Sequence, residues 1–170
     1  MSESIYFNDN FFSAGETEIY NEKKERIGHL DLKSAFSSSV DILDTDENIH
    51  FQGYFPFFSN KWNIIDGNEK ELGILRARFS LFTKAYEYDA YNREVFKIES
   101  EAFSREYTIF NQTGDTVCHF KKVNNFLESP AFQLTDFTES ISTFEWIAVV
   151  MGVNAIQKRR NSSAASHGGA

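Results

Sequence analysis

A chain of 170 residues and 19.6 kDa, 41% hydrophobic and 16% aromatic, is sized for one packed domain, expected over residues 1–160. Its formal net charge of -8 disfavours general affinity for nucleic acid or anionic bilayers and leaves only a local basic patch for such partners. One cysteine, Cys118, precludes an internal disulfide, and the opening MSESIYFNDNFF has neither the basic nor the apolar part of a secretory signal, so the expected location is a reducing cytoplasm.

The first predicted strand covers Ile5 to Phe12. The chain then repeats itself at intervals of about 22 to 23 residues. Tyr20-Asn21, Leu43-Asp44, Ile65-Asp66, Tyr88-Asp89 and Phe110-Asn111 each place an apolar residue before Asn or Asp, and a polar loop follows. The loops NEKKER, DTDEN, DGNEKE, DAYNRE and NQTGDT lead into Ile27, Ile49, Leu72, Val95 and Val117. This is the pattern of β-hairpins: the Asn or Asp side chain accepts from a backbone N–H two residues on, and Gly67 or Gly114 supplies a positive φ. Flanks such as KAYEYDA and REVFKIES are rich in strand formers. Five hairpins, the first strand and a last one near Ala131 to Leu134 make about twelve strands. Pro56 and Pro130 fall between predicted strands, where a missing N–H breaks no ladder.

After the strands comes the longest apolar stretch, STFEWIAVVMGVNAIQKRR. Ser142-x-x-Glu145 has the spacing of a capping box, and Lys158, Arg159 and Arg160 suit the far end of a helix dipole, which predicts a helix over about 143–157. Its length of about 22 Å is short against a bilayer core of about 30 Å. Phe144, Ile147, Val149, Val150, Met151, Val153 and Ile156 point all around its axis. Such a helix must be enclosed on every side. A closed twelve-stranded barrel is wide enough to enclose it, so the fold class expected is a mainly β, closed antiparallel barrel threaded by a C-terminal hydrophobic helix. Residues 161–170, NSSAASHGGA, read as a disordered tail.

Few residues suggest chemistry. Cys118 and His119 are adjacent in a strand and point to opposite faces, which favours Cys118 as a small core residue over a nucleophile. Asp41, Asp44, Asp46, Glu47 and Asn48 form the densest acidic group, but Ile49 and Phe55 stand where a calcium-binding EF-hand loop needs glycine and glutamate, so a solvated hairpin turn is expected. His29, His50 and His119 occupy similar places in three repeats and are read as ordinary strand histidines rather than metal ligands. In FQGYFPFF, alternation is expected to bury half of Phe51, Tyr54, Phe55, Phe57 and Phe58 and the loop to cover the rest; the alternative is an exposed aromatic patch. No Walker loop, GxSxG elbow, HExxH or dinucleotide fingerprint is present. Neither cofactor nor metal is expected.

The succession KWNIIDGNEKELGILRARFSLFTKAYEYDAYNREVFKIESEAFSREYTIFNQTGDTVCHFKK, followed by FEWIAVVMGVNAIQ, resembles the tubby C-terminal-like superfamily, in its LURP-one-related and scramblase-like bacterial branch. The resemblance implies a twelve-stranded barrel around a central helix. Within that superfamily tubby domains bind phosphoinositides through clustered basic residues, and scramblases carry an acidic calcium-type motif beside a terminal membrane helix. Here LTDFTES supplies Asp136 and Glu139 without the full acidic motif, and Arg76, Arg78 and Lys84 form a loose basic group.

The function expected is a non-enzymatic binding or scaffold module, monomeric, with an unidentified protein or lipid partner and no nucleic acid. The alternative is a protein associated with anionic membrane lipid, peripheral or scramblase-like, in which Lys121, Lys122, Lys158, Arg159 and Arg160 meet the headgroups.

Overall fold

The structure, a computed structural model, describes residues 1–33, 39–101 and 104–167. Twelve strands run β1(Glu3–Asn8), β2(Gly15–Asn21), β3(Arg26–Leu32), β4(Ser39–Asp44), β5(Ile49–Tyr54), β6(Trp62–Asp66), β7(Glu71–Arg78), β8(Lys84–Ala90), β9(Glu94–Ser100), β10(Tyr107–Phe110), β11(Thr116–Phe126) and β12(Ser129–Asp136), followed by α1(Thr143–His167). Each strand pairs antiparallel with its neighbours in sequence, and β1 closes the ring on β12, with Ile5 opposite Leu134 and Phe7 opposite Phe132. The barrel is therefore an up-and-down ring without a free edge.

The ring has two unlike ends. Five tight hairpin turns, at the positions the repeat predicts, crowd one end. Asn21, Asp44, Asp66 and Asn111 each accept, through one side-chain oxygen, from the backbone N–H groups two and four residues on. A register shift precedes each of these four turns, and the residue two positions before the second strand takes a left-handed conformation: Lys24, Glu47, Glu69 and Gly114 have φ of 64°, 63°, 63° and 90°. Gly67, expected to supply a positive φ, does not. A Cβ there would sit 2.1 Å from the Ile49 carbonyl oxygen, so its role is to admit that close approach.

The fourth repeat departs from the pattern. Asp89 stays in β8 opposite Val95, and the reversal is made by Ala90 to Arg93, with the Arg93 N–H donating to the Ala90 carbonyl. Asn92 keeps the phase of the repeat at φ 59°. The connections β1–β2, β3–β4, β5–β6, β7–β8, β9–β10 and β11–β12 all lie at the opposite end, and most are longer. We call the two ends the turn end and the loop end.

The helix enters the ring at the turn end and leaves at the loop end. Every residue from Glu145 to Ile156 is buried, which is the all-round enclosure its composition demands. It runs past its expected stop near residue 157 to His167, so residues 161–167 are helical where a tail was expected; 168–170 lie outside the described residues. The expected capping box is also not the way Glu145 is used. Its carboxylate turns into the barrel wall, where Arg93 donates to both oxygens at 2.7 and 2.8 Å and the Tyr88 hydroxyl donates to one. A buried carboxylate gains more from a guanidinium than from one backbone N–H. Midway along, Trp62 of β6 donates its indole N–H to the Ala148 carbonyl at 3.1 Å, and Gly152 leaves room for that indole.

Candidate functional site

The loop end combines exposed apolar side chains, anchored cations and a cavity. Met1 aside, the five most exposed large apolar residues among the described ones are Phe57, Phe58, Phe79, Leu81 and Phe82, between 76% and 95% exposed. All five sit on the β5–β6 and β7–β8 loops, which the β6–β7 pair joins side by side at this end. Here the expectation for FQGYFPFF fails in part. Phe55 is buried and Phe51 and Tyr54 are half-buried, but the turn closed by the Ser59 N–H on the Pro56 carbonyl pushes Phe57 and Phe58 outward. Phe58 holds φ 59°, a conformation that costs a bulky residue about 1–2 kcal/mol. Sequence reading missed Phe79, Leu81 and Phe82; the signal was FSLF, an apolar run between two strands.

The end of α1 fixes this surface from below. Arg159 donates to the Ser59 carbonyl at 2.8 Å and stacks over the Phe55 ring at 3.5 Å. Lys158 donates to the Phe12 carbonyl at 3.2 Å, and burial, with Arg105 adding, draws its pKa below the usual lysine range. Arg160 is exposed one residue on. Lys61 and Lys84 flank the two aromatic loops. Beside the end of α1 lies a cavity of about 670 Å³ lined by Leu32, Trp62, Ala77, Met151 and Ile156 together with Lys158, Arg159 and Arg160. Lys121 and Lys122 stand elsewhere, along β11, and do not line it.

The turn end has the opposite character, because Glu22, Asp44, Asp46, Glu47, Asp66 and Glu69 all belong to the tight turns or the residues beside them. Asp44 is drawn below the usual carboxylate range, first by the Asn48 backbone N–H and then by the side chains of Asn48 and His50, as befits a turn acceptor. Asp41 is apart from that turn, accepting from Gln52 at 2.7 Å and pairing with Lys33 at 3.0 Å. A second cleft of about 670 Å³ opens beside the helix start. On it Glu139 is exposed while Asp136 is buried, accepting from the Thr138 N–H and the Thr143 hydroxyl; burial raises the Asp136 pKa.

The remaining candidates are dispersed. His29 lies against Arg26 and Glu47, His50 against Asp44, and His119 against Glu106, each with a carboxylate of its own. Among the described residues no group of three His, Cys, Asp or Glu side chains is placed to hold a metal ion. Cys118 is fully buried, and burial pushes its thiol well up, away from nucleophilic chemistry. Arg76 and Arg78 both donate to Glu87, which ties up the basic group on β7.

No family model matches the chain, and no curated protein matches its sequence. Among solved structures it is similar to the X-ray structure of a protein from Arabidopsis thaliana, AT5G01750, with a TM-score of 0.64 over 92% of this chain and 91% of that one. The two are 8% identical, so the likeness is one of fold: a closed twelve-stranded barrel with a helix after the last strand.

Proposed function

We propose that this chain is a non-enzymatic binding module of the tubby C-terminal-like kind that docks its loop end on an anionic membrane surface from the cytoplasmic side. One observation carries the reading: Met1 aside, the most exposed large apolar side chains among the described residues gather on two adjacent loops, at the end where the helix delivers Lys158, Arg159 and Arg160. Exposed apolar clusters rimmed by cations are the chemistry of interfacial insertion, in which rings enter the acyl boundary and Lys or Arg meet the headgroups. Each basic residue near such a surface contributes about 1 kcal/mol.

The net charge of -8 argues against this only if the whole molecule is treated as a point. Strands of about seven residues hold the acidic turns some 20 Å from the loop end. That exceeds two Debye lengths of about 8 Å at physiological salt, so the membrane would meet the basic end with the acidic end screened. Within this proposal α1 stays in the barrel. No helix among the described residues is long and apolar enough to cross a membrane.

Flotation with vesicles of phosphatidylcholine and phosphatidylserine tests the proposal. The full chain should float at low salt, more weakly at high salt, and scarcely with phosphatidylcholine alone. Phe57→Ser with Phe58→Ser should reduce flotation at least tenfold, and Arg160→Ala should reduce it more than Lys121→Ala with Lys122→Ala. Equal flotation of the loop variant and the unaltered chain, or no flotation at all, sinks it.

A further inference from the structure

The cavity beside the end of α1 has a polar side chain among its apolar walls. Asn154 lies on α1 one turn before Lys158, is 7% exposed, and lines the cavity. Its side-chain amide is not among the polar atoms sealed from solvent without a partner, which among the described residues are Asn63 Oδ1, Tyr107 Oη, Trp146 Nε1 and Gln157 Nε2. Around it stand apolar groups, Met151, Ala155 and Ile156 from the helix and Leu32, Trp62 and Ala77 from the wall. A polar side chain set among apolar walls is satisfied by what fills the cavity, water or the polar end of a ligand. Lys158, Arg159 and Arg160 also line it, and no carboxylate is among its described lining residues.

We infer that this cavity is a binding site for a single small amphiphilic anion, of the class of medium-chain carboxylates. The carboxylate lies in the field of Lys158, Arg159 and Arg160. The chain descends over Trp62, Met151 and Ile156. A volume of about 670 Å³ is within the range of small-molecule pockets, about 300–1,000 Å³. Lys158 and Arg159 are held by the Phe12 and Ser59 carbonyls, so their charges are positioned before any ligand arrives. Asn154, one helical turn below the cations, donates to a carboxylate oxygen or to the water that solvates it.

This inference does not rest on membrane docking. A soluble ligand below its micelle concentration tests it without vesicles. Titration of the full chain with dodecanoate, followed by calorimetry and by the side-chain amide resonances of Asn154, should show saturable one-to-one binding that shifts those resonances. Affinity should rise about fourfold per added methylene from octanoate until the cavity is full. Dodecylamine should bind at least tenfold more weakly. Ala77→Trp, which fills the cavity from the wall, should abolish binding, and Arg160→Ala should weaken it, both without loss of the folded melting transition. Phe57→Ser with Phe58→Ser should leave it intact even where flotation is lost. Unmoved Asn154 resonances at saturation, or dodecylamine binding as tightly as dodecanoate, overturns the inference. Loss of dodecanoate binding in the loop variant but not in Ala77→Trp would place the ligand on the aromatic loops and overturn it equally.

Discussion

Arg93, on the β8–β9 turn, grips both carboxylate oxygens of Glu145 in the first turn of α1, across 52 residues of chain, and Tyr88 completes the grip. The carboxylate is 3% exposed and the guanidinium about a third. Mutual hydrogen bonding and charge raise the Arg93 pKa, while burial and the Glu145 charge push the Tyr88 hydroxyl up, so the phenol stays a donor. This contact ties the start of the helix to the barrel wall.

Removing one partner strands the other. Arg93→Ala is expected to cost about 3 kcal/mol, the usual result of leaving a buried carboxylate unpaired. The double change Arg93→Met with Glu145→Leu should cost much less than the sum of its parts. Urea midpoints of the unaltered chain, Arg93→Met, Glu145→Leu and the double variant check this, and a simple additive result would refute coupling between the two residues.

Gly152 is a helix-interior glycine, so Gly152→Ala gains about 1 kcal/mol of helix propensity in an isolated helix. In the barrel its Cβ would lie 2.4 Å from the Trp62 ring and 2.7 Å from Leu75. Overpacking of a closed core costs about 1–3 kcal/mol. A net lowering of the melting temperature is therefore expected, with red-shifted emission from Trp62 as the indole is displaced.

Asp136 has a pKa raised by burial, and this fixes a sign. The folded state holds the proton more tightly than the unfolded one, so the cost of burying the charge is absent below the unfolded pKa and complete above the folded one. Asp136→Asn keeps an oxygen acceptor for the Thr138 N–H and removes the charge. Thermal melts should show the variant more stable at pH 8, with the advantage vanishing as pH falls below the ordinary aspartate range.

Glu69 has φ 63° at the position where Gly114 has φ 90° in another repeat. Glu69→Gly relieves about 1–2 kcal/mol of left-handed strain against about 0.5–1 kcal/mol of added chain entropy. A gain of up to about 1 kcal/mol is expected. Gly114→Ala should lose stability, and melts of both variants decide whether the two turns obey one rule.

The ring of hairpins was legible because each turn carries its own instruction in three or four residues. Asn21, Asp44, Asp66 and Asn111 show their acceptor role in the sequence, and the repeat fixes its phase even at Asn92, where the acceptor is not used. The helix was legible from its lack of a polar face. Its end was not, since NSSAAS is small and polar on a solvated helix as in a coil, and Lys158 and Arg159 gave no sign that they clamp loops. Glu145 misled because its spacing from Ser142 satisfies a local rule that a distant arginine overrides. Exposure of Phe57 and Phe58 depends on how the Pro56–Ser59 turn leans against the helix, a matter of tertiary geometry. Asn154 stood in plain view as the one amide in an apolar helix segment, and only the cavity gives it meaning.

The helix that fills this ring follows all twelve strands in the chain, and that order has a consequence in time. A nascent chain makes its wall before it makes the filling. Until α1 emerges, the inward faces of Ile64, Leu75, Tyr88 and Phe96 have nothing to pack against, and β1 waits for a partner more than a hundred residues downstream. Contacts so distant in sequence form slowly, and unfinished sheets are prone to stick to one another. Synthesis of this protein therefore passes through a window in which its most apolar surface is bare, and a holdase acting in that window should govern its yield more than any single contact in the finished barrel.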